Sequence, residues 1–449
     1  MASTYLTRNF TATGNRKIYT TSCWVKRSQI GATQMLISAD LQGDASYYSM
    51  IYIDGSDKLV MYNVDSGSND IYVQTNRLFR DTSAWYHIVI AFDTTQGTAS
   101  NRIKFYVNGV QETSMGQTTY PSLDSDNTFF NRAYRHNIGN KSYNNANYFS
   151  GSLSHFNFID GTAYDATAFG EYDANGVWTI KTSPSVTYGT NGFFILKDGN
   201  SVTDQSGNTN NFTVGGGTLT NTEDSPSNVF CTMNPLDNYY QGSTFSKGNN
   251  TIVTGSVSTT FNTSTLLMTS GKYYAEIKPT VGSATLNIGV TGEQTVSASH
   301  TLASRGTGYA YIDDGSVYNN GSSVGGTWST YTNNDIIGIA VDLDNNKLYF
   351  AKNGTWQNSG DPTSGATGTG AVSITDPSNL TGDSKMGAYA FAINETWNDN
   401  TRTVQWNFGN GYFGTTAVSS AGTNASGNGI FEYDVPTGYT ALSTKGLNL

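Results

Sequence analysis

The sequence predicts an all-β protein with two antiparallel β-sandwich domains in tandem. Its 449 residues suit two domains of roughly two hundred residues each. Aromatic residues, mostly Tyr, and charged residues each make up 13% of the chain, a mixture that favours short strands and many turns over long helices. Two similar hairpin patterns, at 85–109 and 335–354, place one sandwich in each half of the chain.

The first half shows a series of short strand patterns bounded by Gly, Asp, Asn or Ser. Within each pattern, β-branched and aromatic residues alternate with polar ones. Trp24 and Trp85 fit this alternation and are expected in the core. The predicted strands cover residues 17–26, 35–39, 47–53, 59–64, 85–93, 103–109, 137–139 and 149–161.

The second half alternates in the same way. Between Asp335 and Gly354, apolar residues alternate with Gly and Ala, Asp and Asn supply turn chemistry, and the alternation then resumes. Residues 361–381 are rich in Gly, Ser and Thr, which predicts an exposed loop, either mobile or packed against a neighbouring subunit. Further strands are predicted at 271–278, 286–290 and 404–410, the last with Trp406 in the core.

A linker is predicted between the two domains. Residues 221–228 cluster Pro, Asp, Ser and Asn with no apolar pattern. We therefore expect a first domain at 1–220, a linker at 221–230 and a second domain at 231–449.

Charge and composition exclude several functions. The net charge of −10 comes from scattered acidic residues, and no Lys/Arg stripe appears, so we expect no nucleic-acid ligand. No segment reaches the roughly 18 apolar residues needed to span a bilayer. The amino terminus has neither a basic flank nor an apolar run, so we expect no secretory signal and synthesis in a cytoplasm. Cys23 and Cys231 are expected as buried free thiols, with a disulfide as the alternative.

The hairpin of the first half carries a family resemblance. Trp-Tyr-His at 85–87 opens a strand that ends at Asp93, and Tyr-Val-Asn-Gly at 106–109 closes the next strand. This combination resembles laminin-G-like and concanavalin-A-like jelly rolls. The resemblance implies a calcium ion on the rim, with Asp93, Asp124 and Asp126 as candidate ligands. Solvated turn carboxylates are the alternative, and no other cofactor is expected.

The stretch that follows this domain suggests an origin. Residues 169–212 and 231–237 look like the corresponding regions of large virion-associated bacteriophage proteins. That resemblance implies a virion protein made in the host cytoplasm, either a tail fibre or a decoration of tail or capsid. Its expected partners are other virion proteins or a host cell-surface glycan, and by analogy we expect a homo-oligomer, a trimer.

The second half resembles an SPRY domain, which is itself a two-sheet jelly roll. Four pieces stand in that family's order. They are Tyr-Tyr-Ala-Glu-Ile at 273–277, Asn-Ile-Gly-Val at 287–290, the hairpin at 335–354 and Asn-Phe-Gly at 407–409.

No catalytic residue is predicted. Glu171 and Asp173 have the spacing of a glycosidase carboxylate pair, but the third carboxylate expected beyond them is absent, and Asp342 and Asp344 lie in a predicted turn. The four His residues have no metal-ligand spacing, and His87 is expected as a strand residue with a satisfied nitrogen. We therefore expect a protein that is not an enzyme.

Three tryptophans are the candidate ligand-binding residues. Trp328, Trp356 and Trp397 occupy loop-like sequence, where a flat ring with a polar edge can stack on a sugar. The alternative is that each covers a rim of its own sandwich or a seam between subunits. The predicted function is structural or recognition work in a virion, through sandwich loops that bind a glycan or a virion protein. A polysaccharide-degrading glycoside hydrolase and a secreted carbohydrate-binding adhesin are the competing functions.

Overall fold

The computed structural model describes residues 3–41, 43–197, 201–238, 242–255, 259–283, 285–294, 301–382, 384–396 and 401–448. The chain divides into two compact units, residues 1–221 and 222–449. Both are built almost entirely from antiparallel strands, which confirms the predicted tandem of β-sandwich domains. Within the described residues, no helix is long and apolar enough to cross a membrane.

In its described residues, the first unit contains sixteen strands and two short 3-10 helices, at Ala99–Asn101 and Ala166–Ala168. The strands are β1 (Tyr5–Asn9), β2 (Ile18–Arg27), β3 (Gln34–Asp40), β4 (Tyr48–Ile53), β5 (Lys58–Asp65), β6 (Ser68–Leu78), β7 (Tyr86–Asp93), β8 (Ile103–Val107), β9 (Val110–Glu112), β10 (Met115–Thr119), β11 (Arg135–Ile138), β12 (Gly151–Asp160), β13 (Gly170–Tyr172), β14 (Trp178–Ile180), β15 (Phe193–Ile195) and β16 (Thr213–Gly216).

Two sheets enclose the core of this unit. The eight-stranded sheet has the order β10-β6-β5-β4-β3-β11-β1-β16, and the six-stranded sheet has the order β15-β12-β2-β7-β8-β9. Aliphatic and Phe side chains from both sheets form one buried cluster between them. The opposite face of each sheet points away from this core, because successive strand residues alternate sides.

The segment after β12 completes the first unit. β15 pairs with β12 in the six-stranded sheet, and β16 pairs with β1 in the eight-stranded sheet. The β13–β14 hairpin covers the outward face of the six-stranded sheet, where Phe169 and Trp178 pack with Val89 and Ile159. The extension is therefore part of the sandwich and closes one of its outer faces.

Where the structure describes it, the second unit contains the remaining strands and three 3-10 helices, at Pro362–Thr367, Pro377–Asn379 and Gly446–Asn448. The strands are β17 (Thr244–Ser246), β18 (Thr251–Val253), β19 (Thr260–Thr263), β20 (Lys272–Val281), β21 (Leu286–Glu293), β22 (Gly308–Ile312), β23 (Ser316–Asn319), β24 (Ser322–Ser323), β25 (Ile337–Asp342), β26 (Lys347–Lys352), β27 (Thr355–Trp356), β28 (Val372–Ser373), β29 (Lys385–Glu395), β30 (Thr403–Asn407), β31 (Tyr412–Phe413), β32 (Thr416–Ala417) and β33 (Thr440–Ala441).

Two sheets again enclose a core. One has the path β17-β18-β30-β20-β25-β26-β27, with β28 beside β26 and β33 beside β20, and the other has the order β19-β29-β21-β22-β23-β24. The buried cluster between them includes Trp406, as predicted. Both outward faces are covered by the chain itself, because Phe431 and Tyr439 pack on Tyr274, and Leu302 packs with Ala310.

The segment 361–381 was predicted as an exposed loop, either mobile or packed against a neighbouring subunit, but it packs on its own sandwich. Val372 pairs with Leu348 and is buried in the core with Ile374 and Leu380. The Tyr439 hydroxyl also donates to the carbonyl of Pro362 at 3.1 Å. Sparse apolar residues among Gly and Ser are thus enough to fasten this segment to its own sandwich.

The junction between the units lies after Asn221. Much of the segment predicted as a linker belongs to the second unit by its contacts. The Glu223 N–H donates to the carbonyl of Asn410 at 3.3 Å, and Phe230 is buried there. Cys23 and Cys231 are both buried and form no disulfide with each other, as predicted.

Candidate functional site

The outward face of the eight-stranded sheet carries an open groove, here called the tyrosine groove. It encloses about 380 Å³, within the roughly 300–1,000 Å³ common for small-ligand pockets. Four tyrosines, two methionines and a few polar residues line it: Thr33, Met35, Tyr48, Met50, Tyr52, Asp54, Tyr62, Asn69, Tyr72, Lys141 and Asn147.

Strand alternation places the tyrosines on this face. In β4, Ile51 and Ile53 point into the core, so Tyr48 and Tyr52 point outward. The register of β5 with β6 then sets Tyr62 directly opposite Tyr72. Aromatic side chains of three neighbouring strands thereby meet on one surface.

The rings form a row across the sheet. The centroid of Tyr62 lies 5.3 Å from that of Tyr72, in an edge-on arrangement, and 6.2 Å from that of Tyr48. Tyr143, from the loop after β11, continues the row with its centroid 4.8 Å from that of Tyr48. All four rings are half-buried, so each keeps part of its surface open to a ligand.

The hydroxyls of Tyr48, Tyr52 and Tyr62 stay protonated near neutral pH. Burial, reinforced by the neighbouring Tyr143 and Tyr62, raises the pKa of Tyr48 to about 12. Burial likewise raises the pKa of Tyr52 and of Tyr62. The Tyr62 hydroxyl donates to Oδ1 of Asn69 at 2.5 Å. The groove thus combines apolar ring faces with hydroxyl groups able to donate hydrogen bonds.

A fixed loop, residues 139–149, forms one wall of the groove. Its ends are joined because the Phe149 N–H donates to the carbonyl of Gly139 at 2.7 Å. The buried Ser38 hydroxyl, on β3, donates to the carbonyl of Asn140 and accepts from the Ser142 N–H, both at 2.9 Å. These two bonds flank Lys141 on either side and hold its backbone in place.

Lys141 lies over the end of the tyrosine row. Its Nζ is 4.4 Å from the ring centroid of Tyr143 and 5.4 Å from that of Tyr48. Among the described residues, no carboxylate oxygen lies within 4.0 Å of this ammonium. Asp54, the carboxylate that lines the groove, is engaged by the Ser56 N–H and by the Gln74 side chain.

The structure places Trp328 and Trp356 on opposite faces of one sheet. Trp328 packs towards Phe350, with centroids 6.2 Å apart, and its indole N–H donates to Gly325. Trp356 packs towards Tyr349, with centroids 6.4 Å apart. Both rings are half-buried against their own sandwich and do not form a common site.

Trp397, the third candidate ligand-binding residue, lies outside the described residues. Its role in ligand binding stays a prediction.

The candidate calcium ligands already have partners within the chain. Asp93 accepts from the N–H of Thr95 at 3.0 Å, Asp124 lies 3.6 Å from the ammonium of Lys17, and Asp126 pairs with a neighbouring arginine at 3.1 Å. In the part of the chain that the structure describes, no group of three or more His, Cys, Asp or Glu is suited to a metal. Asp93, Asp124 and Asp126 as placed do not fit a calcium site.

The acidic pair of the first domain lies in an exposed hairpin. Glu171 is exposed on β13 and lies 3.8 Å from the ammonium of Lys181. Asp173 accepts from the N–H groups of Asn175 and Val177 and so shapes a turn. This arrangement shows no second carboxylate poised across a sugar-binding surface.

His87 is a buried strand residue with both ring nitrogens satisfied, as predicted. The Trp178 indole N–H donates to Nδ1 at 3.0 Å, so the proton is on Nε2, which donates to the Ser22 hydroxyl at 2.9 Å. Burial, followed by the nearby His155, lowers the pKa of His87 to about 3. Because His87 donates to Ser22 and accepts no proton from it, this pair is not an activated nucleophile.

The tyrosine groove was missed by our sequence predictions, although a signal for it exists. Tyrosine stands at 48, 52, 62 and 72, and aliphatic residues stand in the opposite phase of the same strands. Lys141 has no such signal, because its place depends on a loop.

Comparison with known proteins identifies the two halves. Residues 2–167 match the model of the concanavalin A-like lectin/glucanases superfamily, and residues 272–374 match that of the SPRY domain. No curated protein matches the chain.

Several solved structures are similar at low identity. The SPRY domain of human HERC1 is 14% identical, covers 39% of this chain and 93% of its own, and gives a TM-score of 0.29. A heptameric SAP-like pentraxin from Limulus polyphemus is 18% identical. The match covers 36% of this chain and 71% of the pentraxin chain, with a TM-score of 0.27. A human SPRY domain is 18% identical. The match covers 34% of this chain and 90% of that domain, with a TM-score of 0.25. On the family matches, the chain carries a concanavalin A-like domain in its first half and an SPRY domain in its second.

Proposed function

We propose that the protein is a non-enzymatic recognition protein whose first domain binds an oligosaccharide in the tyrosine groove. The observation that carries this proposal is the row formed by Tyr72, Tyr62, Tyr48 and Tyr143 on an open sheet face. A pyranose ring and a phenol ring are both six-membered, so a row of phenol rings offers stacking places for successive sugars. The neighbouring hydroxyl and amide groups can bind sugar hydroxyls.

The openness of this face supports the proposal. Among the described residues, the other three outward sheet faces carry apolar clusters that segments of the chain itself cover. The tyrosine groove, in contrast, has a wall at the 139–149 loop, and its rings keep part of their surface exposed.

The chemistry of the groove favours a sugar over a peptide. Its lining is dominated by tyrosines, whose faces are apolar and whose edges are polar. Protein-binding surfaces, in contrast, place their strongest contacts in fully desolvated central pockets. A half-buried row of rings along a shallow groove is better suited to an extended chain of flat, hydroxylated units.

Binding without hydrolysis is the form of the proposal that the groove supports. Retaining glycosidases need two carboxyl groups about 5 Å apart, and inverting ones need a pair farther apart. The residues that line the groove include one carboxylate, Asp54, which is already hydrogen-bonded. A host or algal polysaccharide would therefore be retained and not cleaved.

The test is binding of the full chain to immobilised algal and bacterial polysaccharides, with release of reducing ends measured in parallel. We expect retention without release, and about tenfold weaker binding for Tyr62→Ala, equivalent to ~1.4 kcal/mol. Tyr172→Ala is the control, because Tyr172 is an exposed strand tyrosine of the same unit outside the groove. Thermal unfolding checks that both variants fold. Retention of no polysaccharide, or retention that Tyr62→Ala leaves unchanged, would refute the proposal.

The biological setting that we propose is a bacteriophage particle, as a fibre or as a decoration of tail or capsid. Its support is the sequence resemblance of residues 169–212 and 231–237 alone. Mass spectrometry of purified particles tests it, and repeated absence of the chain from them would remove this part of the proposal. Light scattering of the purified protein tests the trimer.

A further inference from the structure

The cation at one end of the tyrosine groove is not used by the fold as an ion-pair partner. Among the described residues that line the groove, Lys141 is the one cation, and no carboxylate oxygen lies within 4.0 Å of its ammonium. The chain has 34 acidic residues, and the nearby Arg135 is paired with Asp40 at 2.9 Å. A half-buried ammonium gains from an opposite charge when it loses part of its hydration.

The position of Lys141 is fixed before any ligand arrives. Its backbone N–H donates to the carbonyl of Ala146 at 2.8 Å, and the two bonds of Ser38 flank it. Arg135 donates to the carbonyl of Ser142 at 2.6 Å and holds the same segment from the other side. A lysine on a fixed loop loses less conformational freedom on binding than one on a free loop.

The groove also has a charge polarity. Lys141 lies at the Tyr48 end of β4, and Asp54 follows the opposite end of the same strand. An anion is attracted to the first end and repelled from the second. A charged sugar would therefore bind in one orientation.

We propose that the ligand of the tyrosine groove is an acidic oligosaccharide, with its sugar rings along the tyrosine row and a carboxylate or sulfate ester on Lys141. This inference rests on the proposed function and names the class of glycan. It excludes neutral glycans as the preferred ligand, in spite of the negative net charge of the whole chain, because the local charge of the groove decides the contact.

A purely structural role for Lys141 is the competing explanation. Its ammonium contacts the rings of Tyr48 and Tyr143, and such cation–π contacts alone can hold the wall of the groove. That role predicts that removal of the charge would weaken binding of neutral and acidic sugars alike. The acidic-ligand proposal predicts a loss for acidic sugars only.

The experiment compares matched probes on the full chain. Isothermal titration uses polygalacturonate against the same polymer with its carboxyls reduced, and dextran sulfate against dextran. The variants are Lys141→Met, Lys141→Arg and, as a control with the same change of net charge, Lys104→Met on the six-stranded sheet. The uronate and sulfate probes separate the two sources of negative charge.

We expect the wild type to bind at least one acidic probe ten times more tightly than its neutral counterpart. Lys141→Met is expected to abolish that preference, whereas Lys141→Arg and Lys104→Met retain it. The preference should also weaken as the Debye length falls from about 10 Å at 0.1 M salt to about 3 Å at 1 M.

Equal binding of neutral and acidic probes by the wild type would overturn this inference and leave the proposed function standing. A preference that survives Lys141→Met, or that Lys104→Met abolishes equally, would also overturn the inference. Binding of no probe would overturn both the inference and the proposed function.

Discussion

Replacement of Ser38 by Ala tests whether the wall of the tyrosine groove is held as the structure indicates. The Ser38 hydroxyl makes two hydrogen bonds, to the carbonyl of Asn140 and from the N–H of Ser142, both at 2.9 Å. Ser38 has no exposed surface, so no water replaces the hydroxyl without local opening of the loop. Each bond contributes about 1 kcal/mol, so Ser38→Ala should make opening of the 139–149 loop easier by ~2 kcal/mol.

The assay is hydrogen–deuterium exchange of the Ser142 amide, read from peptides that cover residues 139–149. A change of ~2 kcal/mol corresponds to about 30-fold faster exchange when the loop opens locally. The rest of the sheet should exchange as in the wild type, because the Phe149 to Gly139 bond still closes the loop. Affinity for the acidic probes should fall with the loss of a fixed Lys141.

Ser22→Ala is the matched control for this experiment. Ser22 is equally buried and hydrogen-bonded, but it lies on the six-stranded sheet and contacts His87. Its replacement should lower the stability of the domain without faster exchange at Ser142. A wild-type exchange rate in Ser38→Ala, or equal acceleration in Ser22→Ala, would refute the reasoning.

Three further predictions concern charge and packing. Burial raises the pKa of Glu276 to about 7, so the folded carboxyl holds its proton more tightly than the unfolded one. On the order of 3 kcal/mol of stability in the second unit should therefore be lost as the pH rises from about 4.5 through about 7, and Glu276→Gln should remove this dependence in urea unfolding. The two carboxylate oxygens of Asp57 lie 2.9 Å from Nη1 of the buried Arg27 and 2.9 Å from Nε of the exposed Arg80. Asp57→Asn should therefore lower the free energy of unfolding by about 3–5 kcal/mol, and Arg80→Gln should lower it by less than about 1 kcal/mol. Equal losses in the two variants would contradict this prediction. Trp356→Ala should leave polysaccharide retention unchanged, because the ring packs on its own domain, and lost retention would instead favour the loop site predicted from sequence.

The hairpins could be predicted because their signal is local. Alternation of apolar residues around a run of Asp and Asn predicts the strands β25 and β26, and the structure pairs Ile337 with Lys352 across that turn. β6 was not predicted, although its eleven residues make it one of the longest strands. It begins with three exposed polar residues, so its alternation starts only at Ile71. Period-two reasoning fails where a strand begins with a run of exposed polar residues.

The candidate site could not be predicted in full, because it depends on which strand face meets the core. In β4, both phases are apolar or aromatic, and sequence alone does not say whether Tyr48 or Ile51 points inward. The structure settles this, because Ile51 lies in the core between the two sheets and Tyr48 lines the groove on the opposite face. The distance from Lys141 to Tyr48 then follows from tertiary packing of a loop, which no pattern in the sequence records.

The segment after β12 sets the limits within which the first half can fold independently. A protein cut after residue 167, where the match to the superfamily model ends, would lack β15 and β16. β12 and β1 would then be unprotected edges of their sheets, with free backbone groups open to self-association. A soluble fragment of this half should therefore extend at least to Gly216, and shorter versions should aggregate.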